Sequence, residues 1–101
     1  MEISKTISLC LEYNRSNSKE NTFTAYEMIL FKFWRVCDGR KLEELNSDEV
    51  LVFLNRVTAG RKHRTKRNCY THLSAFFNFV RNNIDDSFQN PCDNPTMKKF
   101  Y

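Results

Sequence analysis

The chain has 101 residues, of which 41% are apolar and 28% charged, with a formal net charge of +4. That length supports one domain and starves two of buried surface. Nine Phe, four Tyr and one Trp exclude a disordered chain. No apolar run approaches the roughly 20 residues that cross a bilayer, and Met1-Glu2-Ile3-Ser4-Lys5 lacks a secretory apolar region; no membrane partner and a cytoplasmic location are expected.

Two glycines and two prolines punctuate the sequence, and apolar spacings near 3.6 residues dominate between them. An all-α bundle of four or five helices is predicted. The first helix covers residues 4–13 with Ile3, Ile7, Cys10 and Leu11 on one side, and residues 14–20, rich in Asn and Ser, form a loop. The second starts at Asn21 or Thr22, either of which can cap a first turn. Phe23, Tyr26, Leu30, Phe33 and Cys37 repeat along it at steps of three and four, with Ile29 and Trp34 widening the stripe, which makes it the central core helix. Gly39 follows where a left-handed residue commonly ends a helix.

Asn46 and Glu49 stand at capping-box spacing before a third helix, with Leu45 and Val50 at the positions of a hydrophobic staple. Val50, Phe53, Leu54 and Val57 are its apolar face, and Gly60 follows its end. The fourth helix opens near Thr65 and buries Cys69, Tyr70, Leu73, Phe76, Phe77 and Val80, leaving Arg64, Lys66, Arg67, Asn68, Thr71, His72 and Ala75 on the opposite side. After Asn83 the pattern gives way to Asp85-Asp86-Ser87 and to two prolines, which disfavour helix at the residues before them. Residues 1–89 are therefore expected to form the domain and residues 90–101 a linker. Asn94 and Pro95 can start a short helix in that linker, with nothing for it to pack on.

Cys10, Cys37, Cys69 and Cys92 form no C-x-x-C pair and have no matched histidines, so zinc has little support. Cys10, Cys37 and Cys69 fall in apolar phase and are expected as buried, reduced thiols. No metal ligand, cofactor or catalytic constellation stands out.

Charge carries the functional signal. Five of the seven residues 61–67 are Lys or Arg, and without them the chain would hold 11 basic residues against 12 acidic ones. The excess positive charge is thus concentrated at the entrance to one helix, as a polyanion such as duplex DNA selects. Arg61, Lys62, Arg64, Lys66 and Arg67 suit phosphate contacts. Asn68, Thr71, His72 and Ala75 follow at a spacing that lets a helix in the major groove meet base edges. Asn21 and Thr22 would aim a helix N-terminus at a phosphate. Trp34, Phe76 and Phe77 read as core rather than as stacking platforms for single strands.

Three segments together resemble a known family. Lys19-Glu20-Asn21-Thr22-Phe23-Thr24-Ala25-Tyr26 resembles the x-x-N-T-x-x-x-Y opening of the core-binding, SAM-like domain of phage integrases and other tyrosine recombinases. Leu45-Asn46-Ser47-Asp48-Glu49-Val50 is similar to that domain's L-T-x-E-D-V helix start, and the stretch from Thr65 to Phe79 resembles its T-x-N-R-x-L-S-A-L-R-x-F-F-x-Y fourth helix. Asn90-Pro91 sits where the family leads into its catalytic domain. Asn68 and Ser74 stand where the family often has Arg.

The resemblance implies a helical clamp on one side of double-stranded DNA, joined to a catalytic domain of the same polypeptide and acting with other recombinase protomers in site-specific recombination and integration. The positions it assigns to DNA are Lys19, Asn21 and Thr22, then Arg61, Lys62, Arg64, Thr65, Lys66, Arg67, Asn68, Thr71 and His72. The family's Arg, Lys, His-x-x-Arg and Tyr set belongs to the catalytic domain: here His63 is followed three residues later by Lys66, and His72 by Ala75. The chain is accordingly expected to bind DNA without acting as an enzyme and without a cofactor. A helical interaction module whose basic end docks an acidic protein is the alternative. A free-standing helix-turn-helix repressor is a third reading, which needs a dimer surface; no exposed apolar stripe is evident for one.

Overall fold

In the computed structural model, which describes residues 1–17 and 19–101, the helical periods become α1 (Ile3–Asn17), α2 (Glu20–Cys37), α3 (Ser47–Val57), α4 (His63–Asn83) and α5 (Pro95–Phe100). A single 3-10 turn, Leu42–Glu44, precedes α3. Among the described residues the β structure is an isolated antiparallel bridge between Glu2 and Lys41. The fold is all-α, as the periodicity predicts.

The helix α1 runs four residues past its expected end, and two asparagines bond back to carbonyls one turn earlier. Asn14 Nδ2 donates to the Cys10 carbonyl at 2.8 Å and Asn17 Nδ2 to the Tyr13 carbonyl at 2.7 Å. The connection to α2 shortens accordingly, and Ser18, within the expected loop, lies outside the described residues. Lys19, not Asn21 or Thr22, occupies the N-cap of α2 and makes no side-chain cap. Asn21 and Thr22 lie inside the first turn, so the capping role expected of them is not what the structure shows.

Phe33 of α2 is the hub of the core. Its ring meets Phe53 of α3 at 5.2 Å and Phe77 and Phe76 of α4 at 5.7 and 6.4 Å between centroids, all in edge-on arrangements. Ile3, Ile7, Leu30, Leu54, Leu73 and Val80 fill the space around it. Trp34 does not join them: it is 36% exposed and lies 6.2 Å from the exposed ring of Phe31. Tyr26, Ile29, Leu30, Phe33 and Cys37 already complete the buried face of α2. Trp34, one residue past Phe33, turns about 100° off that face. With Met28 it leaves α2 with an exposed apolar surface that the sequence reading did not anticipate.

The cap before α3 is as expected, with the Asn46 side chain accepting from the Glu49 amide at 2.9 Å. Arg40 pairs with the Glu49 carboxylate, tying the loop to the same turn. Gly39 (φ +83°) and Gly60 (φ +75°) both take the left-handed conformation that stops a helix.

The largest departure lies after α4. Phe88, Asn90, Pro91, Cys92 and Met97 are buried, so the stretch expected as a linker with nothing to pack on is folded onto the body of the domain. Asn90 is the peg: its amide donates to the Ser74 carbonyl (3.2 Å), Ser74 Oγ (3.1 Å) and Asn78 Oδ1 (3.0 Å), while its Oδ1 accepts from the Cys92 amide at 2.8 Å. The Tyr70 hydroxyl donates to the Cys92 carbonyl at 3.0 Å. Asn94 caps α5 as expected, accepting from the Thr96 amide at 2.8 Å, and seats Met97, which is 1% exposed. Proline and polar residues ended the helical signal here, but they do not prevent a short irregular segment from packing when its polar groups find partners.

Candidate nucleic-acid interface

The basic entrance to α4 breaks two rules of helix chemistry at once. Lys62, its N-cap, gives no side-chain cap to the free amides of the first turn, and that turn holds no acidic residue. Arg61, Lys62 and Arg64 instead gather at the positive end of the helix dipole, where a basic residue is unfavourable by up to about 1 kcal/mol at low ionic strength, and Arg67 follows at the start of the second turn. The other three long helices each keep a basic residue in the last turn, where the dipole favours it. An anion is the species that would relieve both faults.

Helical geometry sorts the predicted residues. At about 100° per residue, Arg64, Arg67, Asn68, Thr71 and Ala75 fall within one stripe of α4, and all five are exposed. Arg61, Lys62 and Thr65 are exposed beside its upper end. Lys66 belongs elsewhere. It lies about 200° around from Arg64, above Leu73, and is half-buried. Grouping it with Arg64 and Arg67 on one side is therefore corrected.

His72 is also half-buried. Its ring meets Tyr26 edge-on at 5.6 Å, and burial holds its pKa below the ordinary histidine value. The imidazole is therefore a neutral buttress between α2 and α4 near pH 7 rather than an added cation. Tyr26 in turn shares a 3.1 Å hydrogen bond with Cys10 of α1, so one buried chain links three helices. Burial is the first cause that raises both the Tyr26 hydroxyl and the Cys10 thiol above their usual values.

Lys19, Asn21 and Thr22 are exposed at the start of α2. Thr22 precedes Tyr26 by one turn, and the Tyr26–His72 contact brings this part of α2 to the middle of α4. Arg15 adds a cation at the same end of the bundle, its guanidinium lying 5.7 Å from the Phe23 ring centroid.

One cation escaped the sequence reading. Lys32 of α2 comes close enough to Cys69, as does Arg61, for both to favour its thiolate, although burial is the larger effect and raises that thiol overall. Its place one residue before Phe33 was legible as an exposed position; its approach to the α4 entrance depended on how the two helices cross.

Neither Lys32 nor any cation of residues 61–67 has an ion pair among the described residues. Of the cysteines, Cys10, Cys37 and Cys92 are buried and Cys69 partly so; burial pushes the Cys92 thiol up to about 12. No helix among the described residues is long and apolar enough to cross a membrane.

No family model, curated protein or solved structure matches the chain.

Proposed function

We propose that this chain binds double-stranded DNA through the start and exposed stripe of α4, as the core-binding domain of a tyrosine recombinase or integrase taking part in site-specific recombination and integration. The observation that carries the reading is the uncapped α4 entrance, where unpaired cations meet a positive helix end. Arg61, Lys62, Arg64 and Arg67 hold phosphates, with Lys66 reaching from the adjoining side. Asn68, Thr71 and Ala75 continue along the stripe toward base edges, where Asn pairs with adenine and Thr or Ala meets a thymine methyl. Lys19, Asn21 and Thr22 supply a second backbone contact from α2. The ordered similarity of the α2, α3 and α4 sequences to the SAM-like core-binding pattern supports the assignment to recombinases. Bond cleavage belongs in this reading to a separate catalytic domain.

With one jaw of the clamp, affinity falls in the range of non-specific binding, a Kd of about 10⁻⁴ to 10⁻⁶ M at physiological salt. The test is fluorescence anisotropy of a labelled duplex across a salt series. Neutralising about five phosphates gives log K against log salt a slope of roughly −4 to −5. A slope near zero removes the phosphate-binding reading.

A further inference from the structure

The groove between α2, the end of α3 and the start of α4 has an apolar floor and a cationic rim. Ala25, Ile29, Val57 and Cys69 line a cavity of 170 Å³, bordered by Met28, Lys32, Arg61 and Thr65. An apolar cavity of about 150 Å³ accommodates a molecule the size of benzene, so this one takes a single branched aliphatic side chain. Met28, 56% exposed at the edge, is a flexible side chain suited to closing over such a guest. Lys32 and Arg61 stand without ion pairs among the described residues and both act on Cys69 at the floor.

The complementary shape and charge lie at the far end of α4, about 30 Å away along a helix of 21 residues. Ile84, its C-cap, projects an apolar side chain that is 42% exposed. Asp85 and Asp86 follow at once. Asp85 accepts from the Ser87 amide and hydroxyl, which rigidifies the turn, and Asp86 is exposed without an ion pair among the described residues. The α4 helix thus carries a cationic socket at one end and an anionic apolar knob at the other.

We infer that the chain associates head to tail with a second copy of itself, Ile84 of one molecule entering the Ala25–Met28–Val57–Cys69 groove of the next, with Asp86 facing Lys32 and Arg61. Knob and socket are different surfaces, so the contact is heterologous and leaves a free knob and a free socket on every pair. The association needs no DNA, and Arg61 at the rim is the one cation it shares with the proposed phosphate-binding set. It would line up copies in one orientation, each presenting its α4 stripe.

Sedimentation velocity of the purified chain without DNA, over a concentration series at low and high salt, tests this. Weight-average mass that rises with concentration and falls with salt is expected; a monomer at every concentration overturns the proposal. Two variants on exposed positions then separate the surfaces: Ile84→Ser removes the knob, and Met28→Glu, which sets a carboxylate at the edge of the groove against an incoming Asp86, blocks the socket. Each alone is expected to be monomeric. Mixed together they retain one intact knob and one intact socket, and should form a one-to-one dimer that grows no further. A mixture that stays monomeric, or either variant still associating with itself, rejects the head-to-tail contact. Binding of an added acidic peptide by a chain that shows no self-association also rejects it and assigns the groove to a foreign partner. None of these positions belongs to the proposed phosphate-binding set, so duplex affinity measured alongside reports on DNA binding separately.

Discussion

The ring of Tyr101 lies parallel to that of Tyr70, with 5.4 Å between centroids and 2° between planes, and its hydroxyl donates to Asn55 Oδ1 at 2.8 Å. The last residue of the chain is thereby clasped between α4 and α3. Such ring pairs contribute about 0.5–1.5 kcal/mol beyond burial of their area. Tyr101→Ala should therefore lower the free energy of unfolding in urea by at least about 0.5–1.5 kcal/mol, with Tyr101→Phe losing only the hydroxyl's share. An unchanged midpoint for the alanine variant would show that the clasp adds nothing to folding.

Asn90 makes a sharper case, since one amide serves four partners in a buried setting. Asn90→Ala strands Ser74, Asn78 and the Cys92 amide, and each buried group left unsatisfied costs about 1–3 kcal/mol. The expected result is a loss of at least ~2 kcal/mol by chemical denaturation, together with fast amide exchange in residues 88–97. Loss of stability with exchange unchanged there would locate the peg's contribution elsewhere.

His72 imposes a pH dependence. Burial against Tyr26 keeps its folded pKa below the ordinary value of about 6.5. The unfolded chain takes up a proton there that the folded chain resists, so this contribution is complete above about pH 6.5 and is lost as pH falls below it. Thermal midpoints should drop between about pH 7 and pH 5.5, a window fixed by that ordinary value. His72→Phe, which keeps a ring and removes the titration, should flatten the drop. A variant that follows the parent curve through this range would exclude His72 as its source.

Reversing charge at Arg64 and Arg67 together places carboxylates on the stripe proposed to face phosphate. Both side chains are exposed, so helicity should stay intact by circular dichroism. Removing two phosphate contacts should make the salt slope shallower by about 2 and weaken binding at least ~100-fold at low salt. Duplex affinity equal to that of the parent rejects the α4 surface while leaving the fold unaffected.

Much of the architecture was written in local pattern. The asparagine cap before α3, the left-handed glycines after α2 and α3, the α5 start and the apolar phase of Phe33, Leu73, Phe76 and Phe77 are all decided by residues within a turn or two of one another, so their chemistry is legible from order alone. The cluster of cations at residues 61–67 was visible for the same reason. Other features depend on partners distant in the chain. Trp34 had an apolar identity but no facing helix, and Lys32 reached the α4 entrance only through the crossing of two helices; Lys66, by contrast, is set about 200° from Arg64 by helical phase alone. Above all, the segment after α4 has no periodicity to read. Asn90 became structural because Ser74 and Asn78, one turn apart on α4, present their oxygens to its amide, and Met97 because a space remained beside the core. Sequence determined which stretches coil and where positive charge collects; tertiary packing alone decided which polar groups would find buried partners and which apolar ones would be left in water, since both are settled by surfaces that meet only once the chain has closed on itself.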